Sequence, residues 1–189
     1  NREGRYGEGG AYRDPNSPYR SWYDFDSKYK DGYRSWWGFE TLPEVTEETP
    51  SYVEFITGEG GVIDTWLRRG AAGFRLDVAD ELPDEFIEKV RTAVKRAGPD
   101  KFLLGEVWED ATTKFGFDKR RTYLLGKGLD SVMNYPFKNA VLGFVCGRDA
   151  GQTMTDILSI CEHYPAPALD TALNFLSTHD TERALTVIA

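Results

Sequence analysis

An α/β fold with a parallel sheet is what this sequence of 189 residues predicts, on three observations. From Pro50 onward, short apolar runs alternate with longer stretches whose apolar residues recur at helical spacing. The short runs are apolar on both faces rather than half polar, as strands are when helices cover a parallel sheet. Three of these runs close on a carboxylate: Gly73-Phe-Arg-Leu on Asp77, Phe102-Leu-Leu-Gly on Glu106, and Leu173-Asn-Phe-Leu-Ser-Thr-His on Asp180. Reactive groups in parallel α/β architectures, (β/α)8 barrels above all, sit at the C-terminal ends of strands, so the three acids read as one site.

Taken in order, residues 1–50 are rich in Gly, Arg and aromatics and show no period of 2 or 3.6. Trp22, Tyr23, Phe25, Tyr29, Tyr33, Trp36, Trp37 and Phe39 crowd together there. One reading is a long irregular loop held down by its own rings, the other a wall of rings that stacks on a flat ligand such as a sugar. Apolar positions from Tyr52 to Arg69 predict a helix in two pieces, interrupted at Gly58 and Gly60-Gly61 and capped by Gly70. A strand follows over 73–77. Phe86, Ile87, Val90 and Val94 share one face of a helix over 83–97, which Gly98-Pro99 stops. Phe102–Gly105 and Leu129–Asn134 read as strands, with a short helix between them near Lys119–Leu125. Helices are expected at Lys138–Val145 and Ala150–His163, then a break at Pro165-Ala-Pro167 and a last strand over Thr171–Leu176.

The bulk numbers exclude several classes. A net charge of −8 argues against nucleic acid, whose phosphates call for clustered Lys and Arg. Cys146 and Cys161 are too few to imply a disulfide framework, and Cys161 with His163 is a poor metal pair. No apolar stretch approaches the roughly 20 residues of a membrane span. The sequence begins without Met or a signal peptide and stops in an expected helix after Asp180, which leads us to expect a piece of something longer. Localisation is left open, with a cytoplasmic protein expected over a secreted one.

Successive strand side chains alternate faces, so Arg75 and Asp77 share one. A guanidinium beside an aspartate favours the ionised carboxylate that a nucleophile needs. The plain alternative for each acid is a helix N-cap, and for Asp80, Asp84 and Asp110 that is the better reading. It is weaker for Asp77, which lies within its apolar run, and weaker still for Glu106, since Glu is a poor cap. Trp108 offers Glu106 an apolar wall, which favours the protonated form a general acid requires. His179 reads either as a donor to a substrate hydroxyl or as a satisfied loop histidine. One ionised acid, one protonated acid and a third nearby is the arrangement of glycoside hydrolysis. A separation of about 5–5.5 Å between the working pair would mean retention of anomeric configuration.

Gly73-Phe-Arg-Leu-Asp-Val-Ala-Asp-Glu81, Gly105-Glu-Val-Trp108 and Phe175-Leu-Ser-Thr-His-Asp180 resemble three signature segments of the α-amylase family of glycoside hydrolases. Trp36-Trp-Gly-Phe-Glu-Thr-Leu-Pro43 and Asp130-Ser-Val-Met-Asn-Tyr-Pro-Phe137 look most like its neopullulanase and cyclomaltodextrinase branch. The resemblance implies a partial (β/α)8 TIM barrel, about strands 4 to 7 with their helices. Residues 1–50 would be the lobe after strand 3, and 51–189 the barrel part. It implies that Asp77 is the nucleophile and Glu106 the general acid/base, while Asp180 binds hydroxyls and stabilises the oxocarbenium-like transition state. Arg75 would orient Asp77, and His179, Trp36, Trp37, Trp108 and Glu81 would bind substrate. The implied substrates are α-1,4-linked glucans, with α-1,6 links or cyclodextrins as further ones.

The family's strand-3 signature, an Asp with an Asn-His pair, is absent and would lie just before Asn1. Strands 1 to 3, strand 8 and a C-terminal β domain are absent too. The alternatives are therefore a transglycosylating or isomerising relative, or a non-catalytic barrel fragment that is inactive alone. No organic cofactor is called for. A structural calcium fits the family, but no local run such as an EF-hand loop supports one, and homodimerisation of a whole enzyme stays open.

Overall fold

The computed structural model describes residues 9–189, so residues 1–8 of the aromatic-rich lobe expected over 1–50 lie outside it. The chain divides into two compact units, Asn1–Val62 and Ile63–Ala189.

The first unit has little regular structure. Single antiparallel bridges join Tyr23 to Val45 and Ser35 to Pro43, and the helix α1 (Pro50–Thr57) ends the unit with Pro at its first turn. Rings hold it together. Trp22 packs on Tyr19, Tyr52 and Phe55 with centroids 4.9, 5.2 and 5.1 Å away, and its Nε1 donates to Ser51 Oγ at 3.0 Å. Tyr33 is buried and meets Tyr12 edge-on at 5.7 Å. Tyr12, Trp22, Tyr23, Phe25 and Tyr33 help to line a cavity of about 260 Å³. Much of the aromatic load therefore packs on itself.

The second unit opens with α2 (Val62–Arg68), separated from α1 by the Gly-rich turn that the sequence marks. Gly70, at φ +100°, lets the chain close α2 with bonds from Gly70 N to Leu67 O and Ala71 N to Trp66 O, each 3.1 Å. That pattern is a Schellman cap. Next come β1 (Gly73–Leu76), α3 (Asp84–Ala97) and β2 (Phe102–Gly105). A hairpin of β3 (Phe115–Gly116) and β4 (Lys119–Arg120) precedes β5 (Ser131–Val132). Then α4 (Tyr135–Val145), α5 (Ala150–His163), α6 (Ala166–Asp170) and α7 (Ala184–Ile188) complete the chain.

The sheet runs β1-β2-β5 in chain order and is parallel throughout. A parallel bridge from Met133 to Leu173 adds a fourth segment at its side. Gly73 pairs with Phe102 and Leu76 with Gly105, so the ends of β1 and β2 are level and deliver Asp77 and Glu106 side by side. The apolar face of α3, with Phe86, Ile87, Val90 and Val94 buried, packs against β2. Behind the sheet, Asp130 accepts from Arg91 Nη1 and Lys95 Nζ at 2.7 Å and from Leu103 N at 2.8 Å, tying α3 to the strands. Gly105 is required by close approach: a Cβ there would stand 2.3 Å from Leu129 Cδ1.

Several expectations are corrected. Residues 119–125 are not a helix. Phe117 and Asp118 both have positive φ (53° and 58°) and form the two-residue turn of the β3–β4 hairpin. The strand expected over Leu129–Asn134 shortens to Ser131–Val132, because Asn134 turns to cap α4 by accepting from Phe137 N at 3.1 Å. That cap starts α4 at Tyr135, ahead of Lys138. The strand expected over Thr171–Leu176 pairs only at Leu173. The Pro165-Ala-Pro167 break starts α6, Pro being suited to a first helical turn. None of Asp80, Asp84 and Asp110 is an N-cap. Asp80 takes Tyr123 Oη at 2.9 Å and Lys114 at 3.0 Å; Asp84 pairs with Arg121 at 2.8 Å; Asp110 holds Thr112 and His163.

Candidate active site

The site lies in the second unit, where β1 and β2 end. Arg75 leaves β1 on the same face as Asp77, as the strand period requires. Its guanidinium reaches both carboxylates. Nη1 donates to Asp77 Oδ1, and Nη2 stands 3.0 Å from Glu106 Oε1. The two acids differ in setting: the Asp77 side chain is 73% exposed, whereas that of Glu106 is 5% exposed.

Glu106 is held on every side by donors. Val78 N donates to Oε2 at 2.8 Å and Trp108 Nε1 to Oε1 at 3.0 Å, while the Glu106 backbone bonds Leu76 and Ala79. The apolar wall expected of Trp108 is thus corrected. Its ring face stacks on Tyr135, centroids 4.5 Å apart and 13° from parallel, which turns the indole N–H edge to the carboxylate. Tyr135 is itself buried, and Phe175 meets it edge-on at 4.8 Å. Burial pushes the Tyr135 phenol up. A pull downward from Thr178 is opposed by the charges of Glu106 and Asp180, with Arg75 pulling down last. Asp180 Oδ2 lies 3.2 Å from His179 Nε2, and Asp180 N donates to Thr178 Oγ1 at 3.2 Å.

Such a set of one guanidinium, an open carboxylate and a buried carboxylate ringed by donors suits acid/base and nucleophilic work on a neutral polar substrate. Among the described residues, no three His, Cys, Asp or Glu side chains gather to hold a metal ion, and no helix is long and apolar enough to cross a membrane.

Residues 10–189 match the family model for the alpha amylase catalytic domain. The chain belongs to the alpha-amylase family. Its similarity extends to an amylopullulanase of Thermoanaerobacterium saccharolyticum, 33% identical over 99% of this chain and 16% of that protein. A cyclomaltodextrinase of Bacillus sp is 35% identical over 90% of this chain and 30% of that one, and neopullulanase 2 of Thermoactinomyces vulgaris is 31% identical over 93% and 30%. These relatives bear out the expected branch. Among solved structures, the cyclic alpha-maltosyl-(1→6)-maltose hydrolase of Arthrobacter globiformis in complex with maltose superposes with a TM-score of 0.82 at 27% identity, covering 94% of this chain and 40% of that one. The chain thus spans well under half the length of these relatives. Membership implies a (β/α)8 barrel, and the parallel sheet described above is the part of it that this alpha-amylase chain carries.

Of the residues singled out from sequence, Arg75, Asp77, Glu106 and Trp108 come into direct contact, while Asp180 and His179 pair with each other. Glu81 is exposed at the end of a 3-10 turn, Ala79–Glu81, that follows Asp77. Trp36 and Trp37 belong to the first unit, where they stack on each other at 5.2 Å and Trp37 is 75% exposed. Two residues around these side chains were not singled out from sequence. Tyr135 was legible only as part of Asp130–Phe137, and Arg121, which grips the turn after Asp77, lay in the stretch expected to be helical.

Proposed function

We propose that this chain carries the catalytic carboxylates of a retaining glycosidase that cleaves α-1,4-glucosidic bonds in starch-like oligosaccharides or cyclodextrins. The observation that carries the reading is Arg75, whose one guanidinium contacts both Asp77 and Glu106. That contact brings two carboxyl groups to one cation, and a double displacement uses such a pair. Asp77 attacks the anomeric carbon while the Glu106 proton passes to the departing glycosidic oxygen, leaving a glycosyl ester on Asp77. Glu106, now a carboxylate, takes a proton from water, which attacks the same carbon and frees Asp77. Asp180 bonds sugar hydroxyls and stabilises the charge that develops on the ring, with His179 beside it. The names of the relatives, amylopullulanase, cyclomaltodextrinase and neopullulanase, support the substrate class. We further read the sheet as strands 4 to 7 of the barrel of a longer enzyme.

The test is Glu106→Gln in the full-length protein assayed on maltotriose. Turnover is expected to fall by about 10³-fold or more with the fold intact, since a positioned acid/base contributes roughly 10²–10⁴. Near-normal turnover would remove Glu106 from its role. Product analysis in the same assay separates hydrolysis, which yields only shorter chains, from transfer to sugar.

A further inference from the structure

Val78 follows Asp77 in the left-handed region, at φ 45° and ψ 49°. For a β-branched residue that conformation is strained, and it persists only where the surroundings impose it. Both peptide N–H groups that flank this conformation bond Glu106: Val78 N donates to Oε2 at 2.8 Å and Ala79 N to the Glu106 carbonyl at 3.1 Å.

What imposes it comes from outside the segment. Arg121, just past β4, is buried with its side chain only 1% exposed, and it spends its donors on the turn that Val78 enters. Nη1 donates to Asp80 O at 2.5 Å, Nη2 to Leu82 O at 2.8 Å and Ala79 O at 3.5 Å, and Nε to Asp84 Oδ1 at 2.8 Å. Phe117 and Tyr123 lie against the guanidinium at 5.3 and 4.6 Å, and Tyr123 Oη also bonds Asp80. No donor of Arg121 reaches Asp77, Glu106 or Asp180 in any of these contacts. A planar fork that gathers three carbonyls and a carboxylate fixes the path of residues 79–84, leaving Val78 to absorb the strain of joining that path to β1.

We propose that Arg121 is a positioning residue for Glu106, holding Val78 in its left-handed conformation and so keeping the Val78 N–H aimed at the Glu106 carboxylate. The proposal rests on the acid/base reading of Glu106.

The experiment is a double-mutant cycle in the full-length protein, reading kcat, KM and Tm. Arg121→Lys keeps a charge for Asp84 but cannot span the carbonyls. It is expected to lower kcat about tenfold with KM within about twofold. In the Val78→Gly background, where the left-handed conformation costs little, the same substitution is expected to lower kcat by less than about threefold, while its effect on Tm persists. An unchanged kcat in Arg121→Lys, or an equal loss in both backgrounds, overturns the proposal and leaves Arg121 a structural residue. Should Arg121→Lys fail to fold, Tyr123→Phe removes one tie on the turn. A kcat loss that vanishes in the Val78→Gly background supports the clamp, and no loss or an undiminished one overturns it. Glu106→Gln run alongside keeps the two ideas apart: normal turnover there sinks the acid/base reading, whereas its loss with a flat cycle sinks only the clamp.

Discussion

At the scale of single residues, the site is organised by which donor faces which oxygen of Glu106. Trp108 gives one N–H to Oε1 while its ring lies on Tyr135. Trp108→Phe separates these roles, keeping a ring on Tyr135 and deleting the donor. We expect kcat of the full-length enzyme to fall about tenfold, the scale of one charge-assisted hydrogen bond lost at the buried Glu106 carboxyl. Wild-type kcat in this variant would show that the bond does not matter to turnover. The facing of Arg75 and Asp77 was legible in the sequence, because a strand alternates sides with a fixed period. The edge-on approach of Trp108 was not. An indole can offer its face or its N–H, and only the ring of Tyr135, distant in sequence, decides between them. Arg121 was illegible for the same reason, since its partners lie some 40 residues upstream.

At the scale of elements, what sits where was largely readable and where each element ends was less so. The faces of α3 and the span of α5 follow from apolar spacing and flanking Gly and Pro. The β3–β4 hairpin does not, because Phe117-Asp118 lacks the Asn or Gly that marks a turn with two positive φ values. One tie between elements makes a pH prediction. Burial alone would push the Asp130 carboxyl up, but Lys95, the Leu103 N–H and Arg91 outweigh it and hold it below the usual carboxylate range. A carboxyl lowered on folding stabilises the fold fully above its unfolded value of about 3.9, and that contribution is lost as pH falls through the lower folded value. Acid unfolding should therefore show Asp130→Asn less stable than the parent at neutral pH, by about 1–3 kcal/mol for the unpaired cations. The difference should shrink below about pH 4. A gap that stays constant from neutral pH into that range would mean that Asp130 does not act through its charge.

At the scale of the whole molecule, the parallel sheet was legible because short runs apolar on both faces alternated with helical stretches, whereas the order of its strands came only from the family resemblance. How little hydrogen bonding the later segments make was not, since apolar runs alone do not set strand length. Among the described residues, β1 pairs on one side only, with β2. The same unit exposes Leu185 (83%), Phe115 (76%) and Leu125 (68%). An unpaired strand edge and exposed apolar side chains each favour association with other chains. In a closed (β/α)8 barrel every strand has a neighbour on both sides, and this chain spans 40% of the length of a solved relative. We therefore expect the 189-residue chain expressed alone to sediment as a concentration-dependent mixture of oligomers, and the longer protein that contains it to remain monodisperse under the same conditions. A monomer of the chain alone that unfolds in one cooperative transition would show instead that the partial sheet is a complete folding unit, and would make catalysis by the isolated chain worth assaying.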